Sequence, residues 1–179
     1  MILAGDVGAT KTLLGLFELR EERPAAVLTR AFVTTAFASL SEIIAAFTAE
    51  EQVRHSPIGA AAFGVAGPVL GARASLTNVP FTIDADDVRA RFGVPRVTLL
   101  NDLEATAYGM LVLRPDETEV LNAGTPPKTK GALALIAAGT GLGEAILFWD
   151  GATYRPMPSE GGHCSFAPTS DLEMDLLRH

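Results

Sequence analysis

Blocks of apolar and polar positions at the start of the chain predict a β-hairpin. Residues 1–4 are apolar, residues 5–12 read Gly-Asp-Val-Gly-Ala-Thr-Lys-Thr, and apolar residues resume from Leu13 to Phe17. We expect strand, glycine-rich turn and strand, with the glycines at positive φ turning backbone N–H groups outward, as an anionic ligand requires. An ordinary hairpin with a polar tip gives the same pattern, because short glycine motifs recur by chance.

The next pattern predicts a crossover connection. Residues 26–34 are typical of a third strand, and Ser39 followed by Glu42 predicts a capping box. Four apolar positions behind it recur at helical spacing, which predicts an amphipathic helix to about Val53. Residues 58–65 are almost wholly apolar, as in a strand buried on both faces. The predicted order is β-β-β-α-β, with three meandering strands and a parallel crossover.

A second glycine hairpin is predicted at residues 133–148, where strand, Gly/Thr turn and strand follow one another again. With an offset of 131 positions, Gly8 coincides with Gly139, and Leu16-Phe17 coincides with Leu147-Phe148. Two such hairpins, one in each half, suggest a duplicated fold with a phosphate-binding turn on each side of a cleft. The identities are few, so the repeat is a hypothesis about architecture.

Three prolines and the lack of any period indicate a linker at residues 114–130. It would join a first domain, residues 1–113, to the start of a second domain, residues 131–179. The second part has three predicted strands and one helix capped by Ser170, and so few elements bury little core. We therefore expect an incomplete second domain, in a fragment or in a protein whose missing part is supplied elsewhere.

Composition and charge argue against several classes of function. The net charge is −7 and no Lys/Arg cluster occurs, which argues against nucleic-acid binding because that needs a basic face. The single cysteine, Cys164, excludes an internal disulfide and a multi-cysteine zinc site. The longest apolar run, residues 131–148, is interrupted by glycines and Glu144, so no membrane span is predicted. The chain also opens directly into strand-like sequence, and we expect a cytoplasmic protein.

Two groups of residues are candidates for chemistry. Asn101 and Asp102 follow a predicted buried strand, residues 97–100, where α/β sheets bind ligands, and an aspartate there can act as general base toward an alcohol. Ordinary helix N-caps give the same pattern. Glu160 and His163 are separated by two glycines, so both side chains can turn toward one polar ligand. The alternative is a glycine turn with a surface histidine, and metal binding there lacks a third ligand.

The first hairpin carries its own candidates. Asp6 is most consistent with a carboxylate that contacts Mg²⁺ through water, because Mg²⁺ beside phosphate usually keeps several waters. Thr10 and Lys11 would face phosphate oxygens. The sequence contains no G-x-x-x-x-G-K-[ST] and no G-x-S-x-G, which argues against a P-loop enzyme and against the usual serine hydrolase.

Five motifs in order over nearly the whole chain resemble the bacterial glucokinase family. They are Gly5 to Thr12, Thr77-Asn78, Leu100-Asn101-Asp102, Ala138 to Gly143 and Glu160-Gly161-Gly162-His163. That family belongs to the superfamily of sugar kinases, heat-shock ATPases and actin. The resemblance therefore implies an α/β, ribonuclease-H-like (actin-like ATPase) duplicated fold, of which this chain would hold the N-terminal half.

The resemblance also implies ATP-dependent phosphorylation of the 6-hydroxyl of glucose, with Mg²⁺. Asp102 would be the base that takes the hydroxyl proton. The sugar hydroxyls would be held by Asn101, Glu160 and His163, with Asn78 lining the same site. The phosphates and Mg²⁺ would be held by Asp6, Gly8, Thr10 and Lys11 of the first hairpin and by Gly139, Thr140 and Gly141 of the second.

Departures from the family pattern leave alternatives open. Family members continue for about as long again, adding another sugar-binding glutamate, the adenosine pocket and a final helix, so we expect little activity from this chain alone. Related ROK kinases and repressors carry a zinc-binding cysteine cluster, whereas Cys164 stands alone, which favours the glucokinase branch. A non-catalytic sugar-sensing module and a kinase for another hexose, such as mannose or glucosamine, remain alternatives. Family likeness suggests a homodimer.

Overall fold

The structure is a computed structural model and describes residues 1–21, 23–76, 79–125, 128–139 and 141–179. Asn78 and Thr140, two of the predicted site residues, therefore lie outside the described residues. The chain divides into two units, Met1–Pro126 and Pro127–His179. The domain limits given above, at residues 113 and 131, stay a prediction.

A five-stranded mixed sheet forms the first unit, in the order β3-β2-β1-β4-β8. The chain meanders antiparallel through β1, β2 and β3, and β4 and β8 then continue parallel to β1. The strands are β1 (Ile2–Val7), β2 (Lys11–Arg20), β3 (Arg23–Val33), β4 (Ala60–Val65) and β8 (Val97–Asn101). The predicted meander and the parallel crossover are confirmed. Strands β5 (Val69–Leu70), β6 (Arg73–Ser75) and β7 (Thr82–Asp84) form a small separate sheet.

Three of the four α-helices that the structure describes in the first unit begin at a side-chain cap. Helix α1 (Leu40–Thr48) begins after Ser39, whose hydroxyl accepts the amide of Glu42 at 3.3 Å, as the capping box predicts. The Glu42 carboxylate, however, accepts the amide of Ala38 at 2.9 Å instead of that of Ser39. The predicted helix to Val53 is wrong in one respect, because Glu50 is extended at ψ 139° and a separate helix follows. Helices α2 (Glu51–Arg54), α3 (Ala85–Phe92) and α4 (Asp102–Met110) complete the unit.

The core lies on one face of the mixed sheet. Apolar side chains at alternate positions of β1 and β4, such as Leu3, Val7, Phe63 and Val65, are fully buried. The apolar positions of α1 pack into the same cluster, and Phe47 is completely buried there. Alternation in the strands and 3.6-residue spacing in the helix thus meet in one core.

The second unit contains a three-stranded antiparallel sheet in the order β11-β10-β9. Its strands are β9 (Leu133–Ala138), β10 (Leu142–Trp149) and β11 (Tyr154–Ser159). Helix α5 (Asp171–Arg178) follows, and the Ser170 hydroxyl accepts the amide of Glu173 at 3.3 Å, which confirms the predicted cap. Within the described residues, no helix is long and apolar enough to cross a membrane.

Candidate active site

The turn between β1 and β2 is a tight hairpin connection. The amide of Gly8 donates to the carbonyl of Lys11 at 3.0 Å, so Ala9 and Thr10 form the tip. Thr10 and Lys11 are exposed, as is Asp6 near the end of β1. Within the described ranges, the amides of Ala9 and Thr10 donate no hydrogen bond. The tip therefore combines two N–H groups that donate no hydrogen bond with the exposed residues Thr10 and Lys11, a combination suited to an anion.

The glycine of this turn has a different role from the predicted one. Positive φ occurs at Gly71, Gly93, Gly124 and Gly151, whereas Gly8 does not have it. A Cβ at Gly8 would lie 3.2 Å from the Lys11 carbonyl oxygen, closer than most real Cβ contacts. The residue is thus needed for the close approach of the two strands, and the expectation that it turns the backbone at positive φ is wrong.

Asp6 lies on a defined face of the sheet. It is paired with Gly64 of β4, which is in turn paired with Leu100 of β8. Partners at one level of a parallel sheet point to the same face, so the Asp6 carboxylate shares a face with Gly64. Helix α4 packs on that face, because a Cβ at Gly64 would lie 3.0 Å from the Ala105 Cβ and 3.7 Å from the Asp102 Cα.

Asn101 and Asp102 lie where β8 ends and α4 begins. The Asn101 Oδ1 accepts the amide of Leu103 at 3.0 Å, and its Nδ2 donates to the Gly67 carbonyl at 3.4 Å. The Asp102 Oδ1 accepts the same amide at 2.9 Å. Asn101 is therefore the N-cap of α4, as the alternative interpretation predicted. Capping fixes the orientation of both side chains at the positive end of the helix, where a carboxylate is favoured as the anion.

The first unit thus brings several predicted residues to one edge of its sheet. Asp6 and Asn101 belong to the carboxyl ends of the parallel strands β1 and β8, with only β4 between them. The hairpin tip that holds Thr10 and Lys11 directly follows β1. Polar side chains at the carboxyl edge of parallel strands are the arrangement expected of a ligand site in an α/β fold.

In the second unit, the turn between β9 and β10 is closed by the Gly139 amide, which donates to the Gly141 carbonyl at 2.9 Å. Neither Gly139 nor Gly141 has a positive φ. A Cβ at Gly139 would reach no atom closer than 4.0 Å, and one at Gly141 would meet none within that distance.

The Glu160–His163 segment packs against the start of β10. Residues Gly161–His163 form a 3₁₀ turn, in which the amide of His163 donates to the Glu160 carbonyl at 3.0 Å. The Glu160 Oε2 and His163 Nε2 atoms lie 3.5 Å apart, and both side chains are more than four-fifths exposed. The structure thus brings the two predicted sugar ligands together, and both remain accessible.

Gly162 is the tightest point of this segment. A Cβ there would lie 2.8 Å from the carbonyl carbon of Leu142 and would overlap its carbonyl oxygen. Leu142 is the first residue of β10 and directly follows the Gly139–Gly141 turn. The loop with Glu160 and His163 is therefore fixed to the strand that leaves the second glycine turn. Sequence reasoning used these glycines only as flexible spacers and missed the contact, for which local sequence carries no signal.

Buried threonines behind the first turn were also missed. Thr12 and Thr34 are fully buried, and their hydroxyl oxygens lie 2.9 Å apart.

In the part of the chain that the structure describes, no three His, Cys, Asp or Glu side chains form a group that could hold a metal ion. Asp6 therefore offers a single carboxylate, which suits only an ion that keeps most of its waters.

The family model and the curated relatives that match this chain belong to the same family. A family model described as Glucokinase matches residues 3–179. The glucokinase of Trichormus variabilis is 34% identical over 180 residues, covering 100% of this chain and 52% of the relative. The glucokinase of Synechocystis sp. is 37% identical over 186 residues, covering 99% of this chain and 52% of the relative. The chain thus spans about half the length of the curated relatives it matches.

Solved structures support the same fold. The crystal structure of a glucokinase from an Antarctic psychrotroph is similar with a TM-score of 0.83 at 27% identity, covering 99% of this chain and 55% of that one. A glucokinase from Balamuthia mandrillaris, solved in complex with glucose, has a TM-score of 0.69 at 20% identity and covers 99% of this chain and 53% of its own. The second likeness shows the fold alone. The predicted α/β fold of the sugar kinases is confirmed.

Proposed function

Because this chain belongs to the glucokinase family, we propose that the whole protein transfers the γ-phosphoryl group of ATP to the 6-hydroxyl of glucose. The observation that carries the proposal is the sheet edge of the first unit. There the Asp102 carboxylate begins α4, and the exposed hairpin tip with Thr10 and Lys11 follows β1. A carboxylate base and an anion-binding turn are the two parts that phosphoryl transfer to an alcohol requires.

Asp102 is the proposed general base. It takes the proton of the 6-hydroxyl as the hydroxyl oxygen bonds to the γ-phosphorus and the bond from phosphorus to the β–γ bridging oxygen breaks, releasing ADP. Capping at the start of α4 restricts the carboxylate to few orientations, because its Oδ1 accepts the Leu103 amide. General-base assistance of this kind contributes about 10²–10⁴ in rate.

Asn101, Glu160 and His163 are the proposed ligands of the sugar hydroxyls, together with Asn78. The Asn101 amide is oriented by two hydrogen bonds within the protein, and its Nδ2 group has a second hydrogen to offer. Glu160 offers carboxylate oxygens as acceptors, and His163 offers a ring nitrogen. A sugar needs both kinds of partner, since each of its hydroxyls donates and accepts.

The phosphate ligands proposed are Gly8, Thr10 and Lys11 of the first turn and Gly139, Thr140 and Gly141 of the second. Support comes from the two amides of the first tip that donate no hydrogen bond and from the exposed residues Thr10 and Lys11, which fit an anion. Asp6 would hold Mg²⁺ through water, and its exposed single carboxylate fits that mode. When bound, Mg²⁺ neutralises charge on the phosphate oxygens. A cytoplasmic location and a homodimer belong to the same proposal.

The test is an assay of the whole protein with ATP and a panel of hexoses, followed by ³¹P NMR of the product. We expect ADP release that depends on glucose, and a phosphate resonance coupled to the protons at carbon 6. A clear preference for mannose or glucosamine would change the substrate but retain the reaction. Binding of glucose without ADP release would instead support the sugar-sensing alternative and overturn the proposed activity.

A further inference from the structure

Thr34 connects the end of β3 to the turn between β1 and β2. Its Oγ1 donates to the Gly8 carbonyl at 2.7 Å, and its backbone amide donates to the Thr10 carbonyl at 3.0 Å. These two carbonyls belong to the residues on either side of Ala9. A single residue directly after β3 therefore holds the turn at two points, at a distance of more than 20 residues along the chain.

Thr12 completes this network. The Thr34 hydroxyl has one hydrogen, and Gly8 accepts it, so the 2.9 Å contact between the two hydroxyl oxygens must be a bond that Thr12 donates. Both threonines are fully buried. A buried hydroxyl that loses its hydrogen-bond partner destabilises the fold, so the Thr12 hydroxyl, the Thr34 hydroxyl and the Gly8 carbonyl have essentially one arrangement.

The hydrogen bonds from Thr34 to the Gly8 and Thr10 carbonyls determine where the amides of the same two peptides point. Backbone N–H and C=O groups of one peptide point in opposite directions, so fixing the carbonyls of Gly8 and Thr10 toward Thr34 directs the following amides away from it. The amides of Ala9 and Lys11 follow these two carbonyls. That of Ala9 has no acceptor in the described ranges, and it is one of the two N–H groups at the tip that donate no hydrogen bond.

We propose that Thr34 is a positioning residue for the phosphate-binding turn: its buried hydroxyl sets the direction of the Ala9 amide at the tip before ATP binds. The proposal rests on the proposed function of the turn. It does not make Thr34 a ligand, since the side chain is buried beneath the turn. Preorganised donors lose less entropy on binding, so the effect falls on the nucleotide and not on the sugar.

The test compares valine and serine at this position in the whole protein. Thr34→Val keeps the shape and removes the hydroxyl, whereas Thr34→Ser keeps the hydroxyl. We expect Thr34→Val to raise the KM for ATP by about tenfold or more, with the KM for glucose changed by less than about twofold. Thr34→Ser should restore the KM for ATP to within about threefold of the wild type.

Thr48→Val is the matched control. It also removes a threonine hydroxyl that donates to backbone, at 2.8 Å from the Ile44 carbonyl in α1, far from the turn in sequence. We expect neither KM to change in this variant. Equal rises in both Michaelis constants for Thr34→Val, or an unchanged KM for ATP, would overturn the proposal.

Hydrogen exchange separates failure of this proposal from failure of the proposed function. We expect the amide of Gly8, which closes the turn, to exchange faster in Thr34→Val than in Thr48→Val, with the core of α1 unchanged in the former. If Thr34→Val fails to fold, Thr12→Val takes its place in the exchange experiment. This variant retains the bond from Thr34 to Gly8, so its exchange rate at the turn should rise only slightly above that of the wild type. If the wild type does not use ATP, the kinase proposal fails, and unchanged exchange at the turn still refutes the role of Thr34.

Discussion

Alanine at position 162 tests whether the loop with Glu160 and His163 must stay fixed to β10. The added Cβ would lie 2.8 Å from the Leu142 carbonyl carbon and would overlap the carbonyl oxygen. Real Cβ atoms do not come closer than 3.0 Å to such atoms, and the obstacle is backbone, so the loop must move. We estimate a displacement of roughly 1 Å, and a misplacement of that size costs about 100-fold in rate.

The expected result for Gly162→Ala is thus a loss of about 100-fold in kcat/KM for glucose, measured with the whole protein in a coupled ADP assay. Gly161→Ala is the matched control. Its Cβ would meet the end of the flexible Glu144 side chain and would lie 3.1 Å from the Ser159 hydroxyl oxygen. Because these side-chain atoms can move aside, we expect a loss of less than about tenfold.

Thermal unfolding of both variants distinguishes a moved loop from a collapsed protein. We expect the two melting temperatures to agree closely, since the loop is exposed and contributes little core. Activity of Gly162→Ala within about threefold of the wild type would refute the reasoning, as would equal losses in both variants.

Three further outcomes follow from the first unit. Phe47→Ala should lower the free energy of unfolding by about 3–5 kcal/mol in urea denaturation, because Phe47 is fully buried. The hydrogen bond from Arg23 lowers the pKa of Glu117 from 4.5 to about 2. Its stabilising effect is therefore complete above pH 4.5 and is lost as the pH falls toward 2, so urea titrations should show wild type and Glu117→Gln converging in that range. Gly64→Ala should lower kcat about tenfold in initial-rate assays, because the new Cβ displaces the start of α4.

Local patterns predicted the elements whose partners are close in sequence. Ser39 and Ser170 begin their helices as the spacing indicates, and the apolar blocks at residues 1–17 and 133–148 form the two hairpins. These features are settled within one helical turn or one hairpin, where propensity and pattern agree. The interruption of the predicted helix at Glu50 was not foreseen, because no glycine or proline lies between Phe47 and Val53.

The sequence predicted which residues belong to the candidate site, but not the contacts that hold them in place. Asn101 and Asp102 were placed at a strand end by the apolar run before them, and the structure adds that Asn101 caps α4. The bond between Thr34 and Gly8 joins residues 26 positions apart, and Gly162, in the turn after β11, meets Leu142 at the start of β10. Such contacts depend on register and on side-chain packing, which one sequence does not encode in any local pattern.

The central claim is that Asp102 acts as the base in phosphoryl transfer to glucose, and Asp102→Asn in the whole protein tests it most directly. Asparagine retains the size of the side chain and an oxygen that can accept the Leu103 amide, so the start of α4 should persist. We expect kcat to fall about 10²–10⁴-fold while glucose binding, measured by calorimetry, stays within about threefold. Equal kcat values for wild type and Asp102→Asn would contradict the account.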